Sequence, residues 1–169
     1  AKGGTGFAKC GGNYGASFYP TKKAKEEGYD QVLWTDSSKH EYIEESGMMN
    51  AMFVINDTLV TPPVSDSILD GVTHDSLITV AKDLGIKTEE RPVSVFELKA
   101  AFENGTITEA FGAGTAAVVA PIKTIAIDEA IFHLPAYSDN SISSRIKTKL
   151  EAIRSGIDKD IHGWNFIIE

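Results

Sequence analysis

Met52-Phe-Val-Ile55 and Thr58-Leu-Val-Thr61 flank Asn56-Asp57 and run into Pro62-Pro63. Two short apolar runs rich in β-branched residues, joined by a two-residue turn pair, predict a β-hairpin. The prolines that follow cannot continue its ladder. Outward toward the N-terminus, Gln31-Val-Leu-Trp-Thr-Asp36 is another short apolar run ended by turn residues, which predicts a buried strand. Before it, Ala16 to Glu27 carries Ala, Lys and Glu and meets Gly28, the pattern of a helix and its stop. Toward the C-terminus, Leu77, Ile78, Val80, Ala81 and Leu84 recur at helical spacing. They predict a helix opened by Thr73 or Asp75 and ended by Gly85. Ser94 with Glu97 three residues on predicts a capping box and a helix through Glu103. Gly112-Ala-Gly-Thr115 reads as a loop feeding a buried strand over Ala116-Ala-Val-Val-Ala120. Further strands are predicted over Thr124 to Ile127 and Ala130 to His133, with a last helix over Ser143 to Ser155 before Gly156. Sheet and helix alternate without an intervening linker, which predicts one α/β or α+β domain.

The 169 residues with 42% hydrophobic content suffice for one substantial core. A formal charge of −8 and a pI near 5.0 argue against nucleic acid or an anionic membrane surface as partner, since both reward clustered Lys and Arg. Small molecules fit better. No stretch approaches the length of a membrane span. Cys10 is the single cysteine, so no intramolecular disulfide can form, and a reducing cytoplasmic compartment is expected. The chain starts at Ala1 without methionine and its most loaded loop follows at once, which reads as a piece of a longer protein.

That loop is Gly3-Gly-Thr-Gly-Phe-Ala-Lys-Cys-Gly-Gly-Asn-Tyr-Gly15, a lysine bracketed by six glycines. Glycines let the backbone approach a ligand closely, so Lys9 can be presented to a flat, phosphate-bearing molecule if the loop folds inward. A flexible tail is the alternative. A P-loop is excluded by spacing, because Ala8 precedes Lys9 and Cys10 follows it. Cys10 lacks a His and Asn partner signature and reads as a packed, inert thiol. His40, His74, His133 and His162 lack the close spacing of metal ligands, so no metal site is predicted. Glu41 and Glu44 read as a solvated charge run. Glu45 adjoins the Ser46-Gly47 turn into an apolar strand, where a carboxylate can be carried inward toward a cation. Gly71-Val-Thr73 and Gly112-Ala-Gly-Thr115 each offer backbone N–H groups and a hydroxyl suited to a phosphate.

Lys9-Cys-Gly-Gly-Asn-Tyr-Gly15, Gln31-Val-Leu-Trp34, Glu45-Ser-Gly-Met-Met-Asn50, Thr61-Pro-Pro63, Ile68-Leu-Asp-Gly-Val-Thr73 and Phe111-Gly-Ala-Gly-Thr-Ala116 stand in a familiar order and spacing. On these six motifs the chain resembles the branched-chain amino-acid aminotransferases, fold-type IV enzymes that use pyridoxal phosphate. The resemblance spans the whole chain but only the larger, C-terminal half of such an enzyme. It implies a mixed sheet or pseudo-barrel with surrounding helices. It also implies that Lys9 holds the cofactor covalently and shuttles the substrate proton, that Glu45 pairs with the pyridine nitrogen, and that Tyr14 bonds the ring oxygen. Val72, Thr73 and Thr115 would contact the phosphate, with Met48 and the backbone near Ala116 beside the substrate carboxylate.

The implied reaction moves the amino group of Leu, Ile or Val to 2-oxoglutarate by a ping-pong route, in a homodimer or higher homo-oligomer. A D-amino-acid aminotransferase or an aminodeoxychorismate lyase is the alternative within the fold. Another is a catalytically silent fragment, since the N-terminal small domain of such enzymes, which supplies an arginine to the phosphate, would be missing. His74 stands where the family usually has Arg, and Met48 where it has Thr or a small residue. Ala117 and Ala120 replace the Cys-x-x-Cys of some members, so that redox switch is not expected.

Overall fold

Ala51 to Ile55 is an unbroken apolar run, and the chain buries every one of its residues. A strand covered on both faces has no polar alternation to show. A computed structural model describes residues 3–168, so the chain start at Ala1 lies outside the described residues. In chain order the elements are α1 (Gly12–Gly15), α2 (Phe18–Glu26), β1 (Leu33–Thr35), β2 (Ile43–Ser46), β3 (Met49–Ile55), β4 (Thr58–Thr61) and α3 (Val72–Asp83). There follow β5 (Thr88–Glu90), α4 (Val95–Glu103), β6 (Ile107–Gly114), β7 (Val118–Pro121), β8 (Thr124–Ile127), β9 (Ala130–His133) and α5 (Ile142–Arg154).

Strands β1 to β5 pair in sequence order, β6 pairs with the other edge of β3, and β7 pairs with β6; β8 and β9 form a separate hairpin. All pairings in the main sheet are antiparallel except β4 with β5, which run parallel across the α3 connection. This is the mixed α/β sheet with surrounding helices that the resemblance implies.

Alternation along β3 divides the core in two. Met52 and Val54 pack with Leu77, Ile78, Val80 and Ala81 of α3 and with Ile146, Leu150 and Ile153 of α5. Ala51, Phe53 and Ile55 face the other way, against Leu98 and Ala101 of α4 and Ile125 of β8. Period-two side-chain geometry makes a single strand the wall of both cores.

The predicted hairpin is β3–β4, with Ile55 paired to Thr58, and Asn56 and Asp57 at φ 50° and 56°. Both central residues in the left-handed region make this the turn whose twist matches the flanking strands. Ser94 caps α4 as predicted, its Oγ accepting the Glu97 N–H at 3.0 Å. The return half of the capping box goes elsewhere, because the Glu97 carboxylate binds Arg91 in a two-pronged pair.

Other expectations are corrected. Gly112-Ala-Gly is the end of strand β6, and the turn is Thr115 to Ala117, which moves the following strand to Val118. The glycines are needed for close packing: a Cβ at Gly112 would stand 2.7 Å from Met49 Cε. Helix α3 starts at Val72, capped by Gly71 without a side-chain bond, and not at Thr73 or Asp75. Glu44 and Glu45 lie in strand β2 and are partly buried, so Glu44 is not on a solvated face. Leu33 pairs with Ser46 and Thr35 with Ile43, so β2 carries one extra residue and Glu44 and Glu45 together oppose Trp34. Such a bulge re-aims side chains that would otherwise alternate.

Candidate active site

The glycine-rich segment is a loop tied by hydrogen bonds that leads into α1. Asn13 Nδ2 donates to the carbonyls of Thr5 at 2.7 Å and Ala8 at 2.9 Å, which closes the chain around Lys9. The Phe7 N–H donates to Asp66 O at 3.0 Å and the Gly3 N–H to Asp66 Oδ2 at 2.9 Å, so the loop is fastened to the turn at 65–69. The short helix α1 then carries Tyr14 inward, and the Ser17 hydroxyl donates to the Tyr14 carbonyl at 2.7 Å.

Between this loop and the β1–β2 edge lies a cavity of about 290 Å³. Lys9, Tyr14, Glu45 and Met48 line it, together with Trp34 and Glu44. Among its described lining residues Lys9 is the one basic group. Trp34 is held by its own polar atom, Nε1 donating to Gly47 O at 3.0 Å. Met48 stands at the mouth, 69% exposed.

Glu45 is half-buried, and one carboxylate oxygen accepts the Leu69 N–H at 2.9 Å. Burial pushes its carboxyl above the ordinary carboxylate range, the Leu69 N–H opposes that, and the neighbouring charge of Glu44 adds to it. A carboxylate whose lone charge is disfavoured is ready to share a proton or meet a cation.

Four of the eight residues singled out from sequence do not line the cavity. Val72, 83% exposed, and Thr73 open α3, and Thr115 and Ala116 lie exposed in the β6–β7 turn. The register shows how these two places relate to Glu45. Glu45 pairs with Asn50 and Asn50 with Ala113, so a line across three strands joins β2 to the end of β6. Two strand spacings amount to roughly 10 Å. Asn50 Nδ2 also donates to Leu69 O at 2.8 Å, just before the start of α3. Asn50 thus sits where the carboxylate, the helix start and the β6–β7 turn converge.

His74 is buried in the first turn of α3. The Thr61 hydroxyl donates to Ala51 O at 2.8 Å and therefore accepts from His74 Nε2 at 2.9 Å, which places a proton on that nitrogen. Burial holds the imidazole below its ordinary range, against the pull of Glu90, Asp75 and Asp70. The ring therefore makes the hydrogen bond of a neutral imidazole. No group of three or more potential metal ligands occurs among the described residues. None of their helices is long and apolar enough to cross a membrane.

Asn13, Trp34 and Asn50 carry no functional signal of their own in the sequence. Asn13 and Trp34 bond backbone carbonyls that only the folded chain brings near, and Asn50 reads as one polar residue in an apolar run. All three fall within the six ordered motifs, which is the one signal the sequence offers for them.

The amino-transferase class IV family model matches residues 9–125. A probable branched-chain-amino-acid aminotransferase of Staphylococcus epidermidis is 43% identical over 163 residues, covering 96% of this chain and 46% of that protein. The crystal structure of the Escherichia coli branched-chain amino acid aminotransferase superposes with TM-score 0.76 at 29% identity, over 94% of this chain and 48% of the other. The Thermobaculum terrenum branched-chain amino acid aminotransferase in its PLP-form gives TM-score 0.74 at 26% identity, over 91% and 47%. The chain spans about half the length of the curated relatives it matches.

Proposed function

Because the chain belongs to the amino-transferase class IV family, we propose that it is the larger, cofactor-bearing C-terminal domain of a branched-chain amino-acid aminotransferase. The intact enzyme would transfer the amino group of Leu, Ile or Val to 2-oxoglutarate. The observation that carries this reading is the convergence of Lys9, Tyr14 and Glu45 on one cavity.

That donor set suits pyridoxal phosphate. It offers an amine for the cofactor's carbonyl carbon, a half-buried carboxylate for its ring nitrogen and a phenol for its ring oxygen. When bound, the cofactor supplies an electron sink for the carbanion left when the substrate carbon loses a proton. Lys9 Nζ would hold the cofactor and, once free, take that proton and return it. Glu45, disfavoured as a lone charge, would keep a proton shared with the ring nitrogen. The Tyr14 hydroxyl would orient the ring. Val72 and Thr73 at the start of α3 would meet the phosphate with backbone N–H groups and the helix dipole, and Thr115 with its hydroxyl. Met48 and the backbone at Ala116 would flank the substrate carboxylate, with Met48 at the mouth limiting what enters.

Incubation of the chain with pyridoxal phosphate, borohydride reduction and peptide mapping tests the site. Label is expected on the peptide bearing Lys9 and absent from Lys9→Ala; label spread over surface lysines with no preference for Lys9 would overturn the assignment. Transamination to 2-oxoglutarate by the full-length protein tests the substrate. Turnover of L-leucine is expected, and turnover of D-alanine alone would assign the protein to the D-amino-acid branch of the fold.

A further inference from the structure

Glu44 has no part in that chemistry, yet it lines the same cavity as Glu45. Successive residues of a strand ordinarily point to opposite faces. The extra residue in β2 removes that alternation and sets both carboxylates opposite Trp34. Two like charges in one half-buried space repel, so a second carboxylate there must be held by something.

Ser67 holds it, its hydroxyl donating to Glu44 Oε1. Ser67 belongs to the turn at 65–69, to which both walls of the cavity are fastened. On one side the Leu69 N–H donates to Glu45 Oε1 at 2.9 Å. On the other, Asp66 takes the N–H groups of Phe7 and Gly3 through its carbonyl and its carboxylate. Gly6 lies so close to this turn that a Cβ would stand 2.7 Å from Asp66 O and from Ser67 Cα. Lys9 follows three residues later. Any movement of the turn therefore shifts the Lys9 segment and the Glu45 carboxylate together.

We propose that Glu44 is a positioning residue of this cavity, holding through Ser67 the 65–69 turn that seats both Glu45 and the Lys9 segment. The role rests on the reading of Lys9 and Glu45 as the functional pair, but its test needs no cofactor. Amide hydrogen exchange and the carboxyl titration of Glu45, both followed by NMR on the cofactor-free chain, read it directly. In Ser67→Ala the Phe7 and Leu69 amides are expected to exchange about 10-fold faster, the scale of one lost bond to a charged group. The amides of Val54 and Leu59 should keep their wild-type rates. The Glu45 titration midpoint should rise in the same variant, because the Leu69 N–H that favours its charged form is loosened while both charges stay in place. A residue that merely fills space would leave that midpoint unmoved. Ser67→Thr, which keeps the hydroxyl, should restore both readouts.

Wild-type exchange at Phe7 and Leu69 together with an unmoved Glu45 midpoint in Ser67→Ala would overturn the proposal. Should Ser67→Ala loosen the whole sheet, Glu44→Gln decides instead. It weakens the same bond without removing it and should speed the two amides by about 3-fold, since charge-assisted bonds are roughly twice as strong as neutral ones; no change at either amide would again overturn the proposal. Failure of pyridoxal phosphate to label Lys9 would refute the reading of the cavity and leave these measurements standing, so the two failures are distinguishable.

Discussion

Glu45 is half-buried in the cavity, with the Leu69 N–H on one of its carboxylate oxygens. Its carboxyl lies above the ordinary range because burial disfavours the charge. With the folded-state value raised above the unfolded one, the stability tied to this group is present at low pH and lost as pH rises through the folded-state value. The charged form of Glu45 is therefore the one that burial penalises in the cofactor-free fold. Glu45→Gln keeps an acceptor for the Leu69 N–H and removes the charge. In urea titrations its unfolding midpoint should exceed wild type at pH 7, and the gain should vanish below about pH 4, where the unfolded-state carboxyl is protonated too. A variant less stable than wild type at pH 7 would contradict this account. The position was legible in the sequence because a carboxylate beside a glycine turn and an apolar strand has a route inward. Glu44 was not, because its aim depends on a bulge that appears only when β1 and β2 pair.

Elements whose signals are local are legible in the sequence. The β3–β4 hairpin follows from its turn pair, and α4 from Ser94, whose hydroxyl binds the Glu97 N–H. Ser94→Ala should cost about 1 kcal/mol, the usual loss for an N-cap hydroxyl, measurable as a lower urea midpoint with unchanged m-value. A loss near zero would mean that the two-pronged Arg91–Glu97 pair, and not the cap, sets the start of α4. Elements defined by their neighbours are not. Thr88-Glu-Glu90 has no apolar residue, yet it pairs with β4 as the strand β5. Gly112 and Gly114 lie within a strand because Met49 occupies the space that side chains there would need. Glycine in isolation signals a turn, and only the packed partner reverses that signal.

Over the whole molecule, the two cores on either side of β3 leave much apolar surface uncovered. Phe18, Tyr19 and Val72 are exposed, as are Phe166, Ile167 and Ile168, the last three at more than 80%. Exposed apolar groups in such number favour association, opposed by a net charge of −8. Light scattering of the purified chain is expected to show self-association that grows with concentration and with salt, as screening weakens the repulsion. A monomer that persists at high concentration and high salt would count against it. The sequence by itself determined the class of fold, the central hairpin, the helices α3, α4 and α5 to within a few residues, and the candidacy of Lys9 and Glu45. Each of these is written in spacing and local chemistry along a few consecutive residues. Tertiary structure alone decided that Lys9, Tyr14, Glu45 and Met48 share one cavity, that Val72, Thr73, Thr115 and Ala116 stand beyond Asn50, and that Glu44 joins Glu45. Those facts depend on strand register, a bulge and hydrogen bonds between segments some 60 residues apart, such as Gly3 to Asp66, which no local pattern encodes.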